Sequence, residues 1–108
     1  MEGKIDAITK RPGCVPRHVS ISNTLENLQK LVGGYIETVT LSTGFGNLVV
    51  ICNEEGRLEG LPHNCKIGPF DFVGDIIITG ADLETGEMVD LPCSFHDLKI
   101  FLPGLWEE

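Results

Sequence analysis

Leu48-Val49-Val50-Ile51-Cys52 is the run on which the reading of the fold turns. Successive strand residues point to opposite faces, so an unbroken apolar run describes a strand covered on both sides. Asp75-Ile76-Ile77-Ile78-Thr79 repeats the pattern. Neither run is long enough to cross a bilayer. Two such strands need layers above and below them, and the rest of the chain must supply those layers.

Working outward, Tyr35–Leu41 is rich in β-branched residues and reads as a strand. Ser42–Asn47 is a loop before the first apolar run. Lys4–Thr9 and Val15–Ser22 alternate on either side of Arg11-Pro12-Gly13, which is turn chemistry, and form a hairpin. Val19 and Ile21 face inward; His18, Ser20 and Ser22 face outward. Asn23–Val32 is a helix. Asn23 caps it, Glu26 sits three residues on, and Leu25, Leu28, Leu31 and Val32 form its apolar stripe. Gly33-Gly34 ends it through a left-handed cap. Asn53–Gly56 is a turn, and Arg57–Leu61 is a short return strand. Pro62–Val73 shows no period and reads as a long loop. Gly80–Gly86 turns the chain into a hairpin partner at Glu87–Leu91. Ser94–Leu102 is a short helix, with Ser94 as cap and Phe95, Leu98, Phe101 and Leu102 as its stripe. Trp106, in the Leu105–Glu108 tail, packs against the edge of the core.

These elements predict an α+β fold. Its sheet is mostly antiparallel, strongly curved and built of about five to seven strands. It carries one main helix over about residues 24–32 and a short C-terminal helix. At 108 residues and 11.8 kDa the chain is one domain, 1–108, with 42% hydrophobic and 22% charged residues.

Charge narrows the partners. The net charge is −8 and the pI about 4.7. Residues 1–53 hold five basic groups against four acidic, and residues 54–108 hold three against twelve, so the halves carry +1 and −9. No cluster of Lys and Arg exists to neutralise phosphates, so the reading predicts no nucleic acid and no membrane surface as partner. The acid excess serves solubility or a basic partner. Met1–Gly13 holds no export signal, and Cys14, Cys52, Cys65 and Cys93 form no paired motif. The expected compartment is the cytoplasm, with reduced thiols.

The segment Thr24-Leu-Glu-Asn-Leu-Gln-Lys-Leu-Val-Gly-Gly-Tyr-Ile-Glu37 carries a Leu-Gln-x-x-Val-Gly-Gly-x-Ile-Glu motif. With Leu48–Leu58, Leu61-Pro-His-Asn64 and Gly74–Gly80, it resembles a small domain family of unknown function. That family occurs in bacteria, mostly Firmicutes, and in their phages and conjugative elements. The resemblance spans roughly residues 3–100. It implies a prokaryotic, cytosolic protein of a phage or mobile element and brings no reaction with it. Cys52 stands where such sequences often have an aliphatic residue, which marks it as a core position.

No stretch assembles convincing chemistry. His63-x-Cys65 with Cys93-x-x-His96 is the zinc alternative, but His63-x-Cys65 is one residue short of the usual ligand spacing, and no metal is expected. Cys65 with His63 or His96 is a conceivable thiol and base, but nothing in the sequence selects it. Glu54-Glu55 and Glu107-Glu108 fall on a turn and a tail, where solvation keeps carboxylates ordinary. Gly44-Phe45-Gly46 lacks the helix and lysine of a phosphate loop and reads as a hairpin turn. No cofactor and no catalytic residue is therefore expected. Gly60–Val73, closed by Asp71 and Asp75, is the candidate binding stretch, through His63, Asn64, Phe70, Asp71, Phe72 and Asp75. The leading expectation is a non-enzymatic interaction or accessory module for a host protein. The alternative is a small-ligand-binding domain using residues 60–73. An exposed edge such as Val15–Ser22 makes the chain a monomer or a weak homodimer.

Overall fold

A computed structural model describes residues 3–106; Glu107 and Glu108, expected as part of the tail, lie outside the described residues. The two apolar runs are the inner strands of one open sheet. β4 (Gly46–Asn53) pairs antiparallel with β7 (Ile76–Asp82), with Val50 opposite Ile78. β1 (Lys4–Lys10) flanks β7, and β2 (Arg17–Ser22) flanks β1. On the other side β3 (Ile36–Thr43) flanks β4. The order is β2-β1-β7-β4-β3, with β8 (Glu87–Val89) on the end of β7, making six strands. Every pairing is antiparallel. The sheet does not close: β2 and β3 are its two edges.

Alternation sorts the side chains into two cores. Ile8, Leu48, Val50, Cys52, Ile76 and Ile78 point to one face; Ile5, Ala7, Val49, Ile51 and Ile77 point to the other. Helix α1 (Leu25–Val32) covers the second face with Leu28 and Val32. The first face is covered by a β5–β6 hairpin (His63–Ile67 and Phe70–Val73), by α2 (Phe95–Phe101) and by a 3-10 turn at Pro103–Trp106. Ile78 and Val50 are wholly inaccessible, and burying each such side chain contributes about 1.5–3 kcal/mol.

Several expectations are corrected. Pro62–Val73 is no loop: a register shift between His63 and Cys65 breaks the alternation, and Gly68-Pro69 turns the hairpin. Arg57–Leu61 is no strand. It continues a run of turns closed by backbone bonds from Glu59 N to Glu55 O and from Leu61 N to Gly56 O. The α1 cap is Thr24, whose Oγ1 accepts from Asn27 N at 3.1 Å, while Asn23 Nδ2 donates to Met88 O. Leu25, expected on the apolar stripe of α1, is exposed instead. Other local readings hold. Gly33 ends α1 with φ +79°, and Ser94 and Asp97 exchange both bonds of a capping box. Gly44-Phe45 forms the β3–β4 turn, and Trp106 packs edge-on to Phe95 with centroids 5.3 Å apart.

The chain after β8 returns across β7. Leu91 N donates to Asp6 O, and Asp90 Oδ1 accepts from Asp6 N, which brings the Asp90 carbonyl down onto Gly80. A Cβ at Gly80 would collide with that carbonyl oxygen. Gly80→Ala is therefore expected to cost about 2–3 kcal/mol, read as a lower urea midpoint at unchanged slope.

Candidate functional site

The structure divides the sequence-predicted residues among three places. Phe70, Asp71 and Phe72 lie on β6 beside Arg57, in a cleft of about 320 Å³ that Glu37, Val39 and Cys52 close from β3 and β4. His63 joins them from β5, its Nε2 3.4 Å from Asp71 Oδ1. Both partners are about half exposed, at 57% and 48%, so the pair adds little stability. Arg57 Nη2 donates to the Asp71 carbonyl at 2.7 Å and ties the 54–60 turn to β6. Asp75 stands elsewhere, 3.8 Å from Arg11 Nε at a cleft of about 570 Å³ with Lys30, Leu61, Pro62 and Gly74. Asn64 faces inward and is buried.

The residues of the zinc alternative do not meet. His63 and His96 are exposed, Cys93 is half-buried, and Cys65 is sealed in the core. Among the described residues, no three His, Cys, Asp or Glu side chains gather closely enough to hold a metal. Burial pushes the thiols of Cys52, Cys65 and Cys93 up. Glu37 adds to the rise at Cys52 and Asp97 at Cys93, while the Lys10 ammonium opposes it at Cys65. Raised thiols remain protonated when their unfolded counterparts ionise. Stability is thus full below the ordinary value of 9.0 and falls as pH climbs past it toward the folded values. Urea titrations at pH 7.5 and 9.5 are expected to show that loss. At neutral pH a thiol reagent is expected to label exposed Cys14 rapidly, half-buried Cys93 more slowly, and Cys52 and Cys65 only as the chain opens.

The sequence reading missed β3 as part of this region. Glu37, Val39, Leu41 and Thr43 share the face that looks toward β6. Past Val39, a second cleft of about 440 Å³ runs under Leu41–Gly44 and is lined by Ile67, Pro69, Phe101 and Leu102. Phe101 stacks edge-on against Phe45 at 4.7 Å, and both rings are exposed, as are Leu58 and Phe70. Eight residues of β3 have no strand partner on their outer side among the described residues. The signal was in the sequence: Thr38-Val-Thr-Leu-Ser-Thr43 alternates and contains no Pro, no Lys and no bulge, the devices that blunt an edge. β2, the other edge, has Arg17 at its start and Pro16 just before it.

The fold and these surfaces define a small three-layer α+β domain with a bare strand edge running above apolar clefts. The chain belongs to the family described as a domain of unknown function, DUF3846, whose model matches residues 5–99. No curated protein and no solved structure matches the chain. No helix among the described residues is long and apolar enough to cross a membrane.

Proposed function

We propose that this domain is a non-enzymatic interaction module that captures an extended, basic segment of another protein by adding it as a strand to β3. The observation that carries the reading is the open edge of β3, free of Pro, Lys and bulges from Thr38 to Thr43, lying over two clefts. Strand addition gives affinity through main-chain hydrogen bonds and specificity through pockets for alternate side chains. One side of an added strand would feed the clefts around Phe70 and Phe101; the other side would stay in solvent. Charge selects the occupant. Among the described residues lining the first cleft, Glu37, Glu54 and Asp71 stand against Arg57, in a chain of net charge −8. Lys and Arg alternating with apolar residues complement that rim. The resemblance to phage and mobile-element proteins supports a host protein as the source of the segment and the cytoplasm as the meeting place.

Selection from a random peptide library tests the reading. Enriched peptides are expected to alternate apolar and basic residues and to protect β3 amides from hydrogen exchange. Peptides that protect β2 or α1 instead, or enrichment of acidic peptides, would overturn it.

Small-ligand binding is the second reading, favoured by one observation. The cleft of about 570 Å³ at Leu61, Pro62, Gly74 and Asp75 has the size of a small-molecule site and lies at the ends of the 60–73 stretch. A thermal-shift screen against nucleotides and metabolites separates it from strand capture, because a ligand of that cleft raises the melting temperature without protecting β3.

A further inference from the structure

Lys10 ends β1 on the same face as Ile8, and only 3% of it is exposed. Among the described residues its ammonium is held by Asn64: Nζ donates to Asn64 Oδ1 at 2.9 Å and to the Asn64 carbonyl at 3.4 Å. Asn64, 4% exposed, is itself fixed, because its Nδ2 donates to Lys10 O at 2.8 Å and to Gly74 O at 2.7 Å. No carboxylate of the described residues pairs with Lys10. A lysine ammonium has three donors, and both acceptors it meets here are neutral oxygens of one residue. Buried charges are paired in folded proteins because an unpaired one loses several kcal/mol of hydration.

Space for a charged partner adjoins the group. A cavity of about 60 Å³ lies between Lys10, Asn64, Cys14, Val15, Leu105 and Trp106. That is roughly the share of two water molecules, enough for the head of a carboxylate. Apolar Val15, Leu105 and the Trp106 ring line the rest, so a short hydrocarbon stub is tolerated and a large polar ligand is not.

We infer that Lys10 and Asn64 form a binding site for a small carboxylate, whose head pairs with the buried ammonium while its stub rests against Trp106. The site is separate from β3 and stands whether or not strand capture does. Occupancy would join the β1–β2 turn to the C-terminal 3-10 turn, since residues from both line the cavity. A free short-chain acid and the chain's own Glu107 and Glu108 carry the same chemistry.

The chain has one tryptophan, so its fluorescence reports this cavity directly. Sodium acetate and formate, titrated against sodium chloride at constant ionic strength, are expected to change Trp106 emission saturably and to raise the melting temperature. In Lys10→Met, which keeps the side-chain length and removes the charge, affinity is expected to fall by at least about tenfold. Lysine-selective NMR on the unaltered protein covers the case in which that variant does not fold. The Lys10 ε-resonance should shift with acetate while those of exposed Lys4, Lys30, Lys66 and Lys99 remain in place. Tighter acetate binding by E107Q/E108Q than by wild type would show that the tail carboxylates compete for the site. Equal binding would assign the site to free acids. Identical responses to chloride and acetate, or equal shifts at all five lysines, would overturn the site.

Discussion

Asn64→Leu is expected to cost about 4 kcal/mol and to lower the melting temperature by on the order of 15 °C. Leucine fills nearly the same volume, so packing is spared and the loss is polar. Three buried groups are affected together: the Lys10 and Gly74 carbonyls lose their Asn64 side-chain donor, and the Lys10 ammonium loses its closer acceptor and keeps only the Asn64 backbone carbonyl at 3.4 Å. Those bonds link β1 to the β5–β6 hairpin across 54 residues of sequence, and the Gly74 bond closes the hairpin's base. A domain of this size has only about 5–15 kcal/mol in total, so the variant approaches the limit of folding. Lys10→Met in the same chain is expected to return roughly 2 kcal/mol, because the uncompensated charge leaves with it and two carbonyls remain unsatisfied. The comparison is made by urea denaturation of the two single variants and the double. Strict additivity would show that Asn64 acts by packing and that the ammonium is indifferent to it.

The Lys10–Asn64 contact marks the boundary of what the sequence discloses. Where structure follows from neighbours along the chain, the residues are explicit. Leu48–Cys52 and Ile76–Ile78 announce two-sided burial, and Gly33, Ser94 and Asp97 declare the helix ends within a residue or two. Alternation even groups Lys10 with Ile8, but a lysine beside Arg11-Pro12 looks like the start of a turn. Its acceptor is supplied by a strand that pattern alone does not reveal. β5 hides because the irregularity after His63 buries Asn64 and Cys65 consecutively, which erases the period of two. The Gly68-Pro69 turn signal was present, yet without alternation on its flanks it read as loop. The α1 cap lies one residue beyond the expected Asn23 for a tertiary reason: Asn23 has a competing acceptor, Met88 O, that lies 65 residues away. The candidate site was partly legible for the same cause. Phe70, Asp71 and Phe72 belong to one strand and remained together, whereas Asn64 and Asp75 were separated by the bulge and by the turn at Gly74. Val39, Leu41 and Phe101 joined the site only when the sheet order made β3 an edge.

Reversing Glu37 and Glu54 to lysine is expected to weaken capture of a basic extended peptide about a hundredfold. Each reversal turns an attraction at the cleft rim into a repulsion, about tenfold apiece. Both side chains are exposed, so the fold should be unaffected, and thermal melts provide the control. The loss should fall mainly on the association rate and shrink as salt screens the rim. Phe70→Ser should behave differently. Removing an aromatic anchor from the cleft costs about 2 kcal/mol, appears in the dissociation rate and persists in salt. These two kinetic signatures separate the rim from the apolar floor but do not establish a strand. Backbone chemistry does: in an added strand only alternate peptide amides bond to β3, so N-methylation along the peptide should abolish binding at every second position and spare those between. A flat N-methyl profile would leave the clefts as ordinary side-chain pockets and remove β3's open edge from the mechanism. Tolerance of E37K/E54K, with affinity within about twofold of wild type, would remove the electrostatic choice of partner as well.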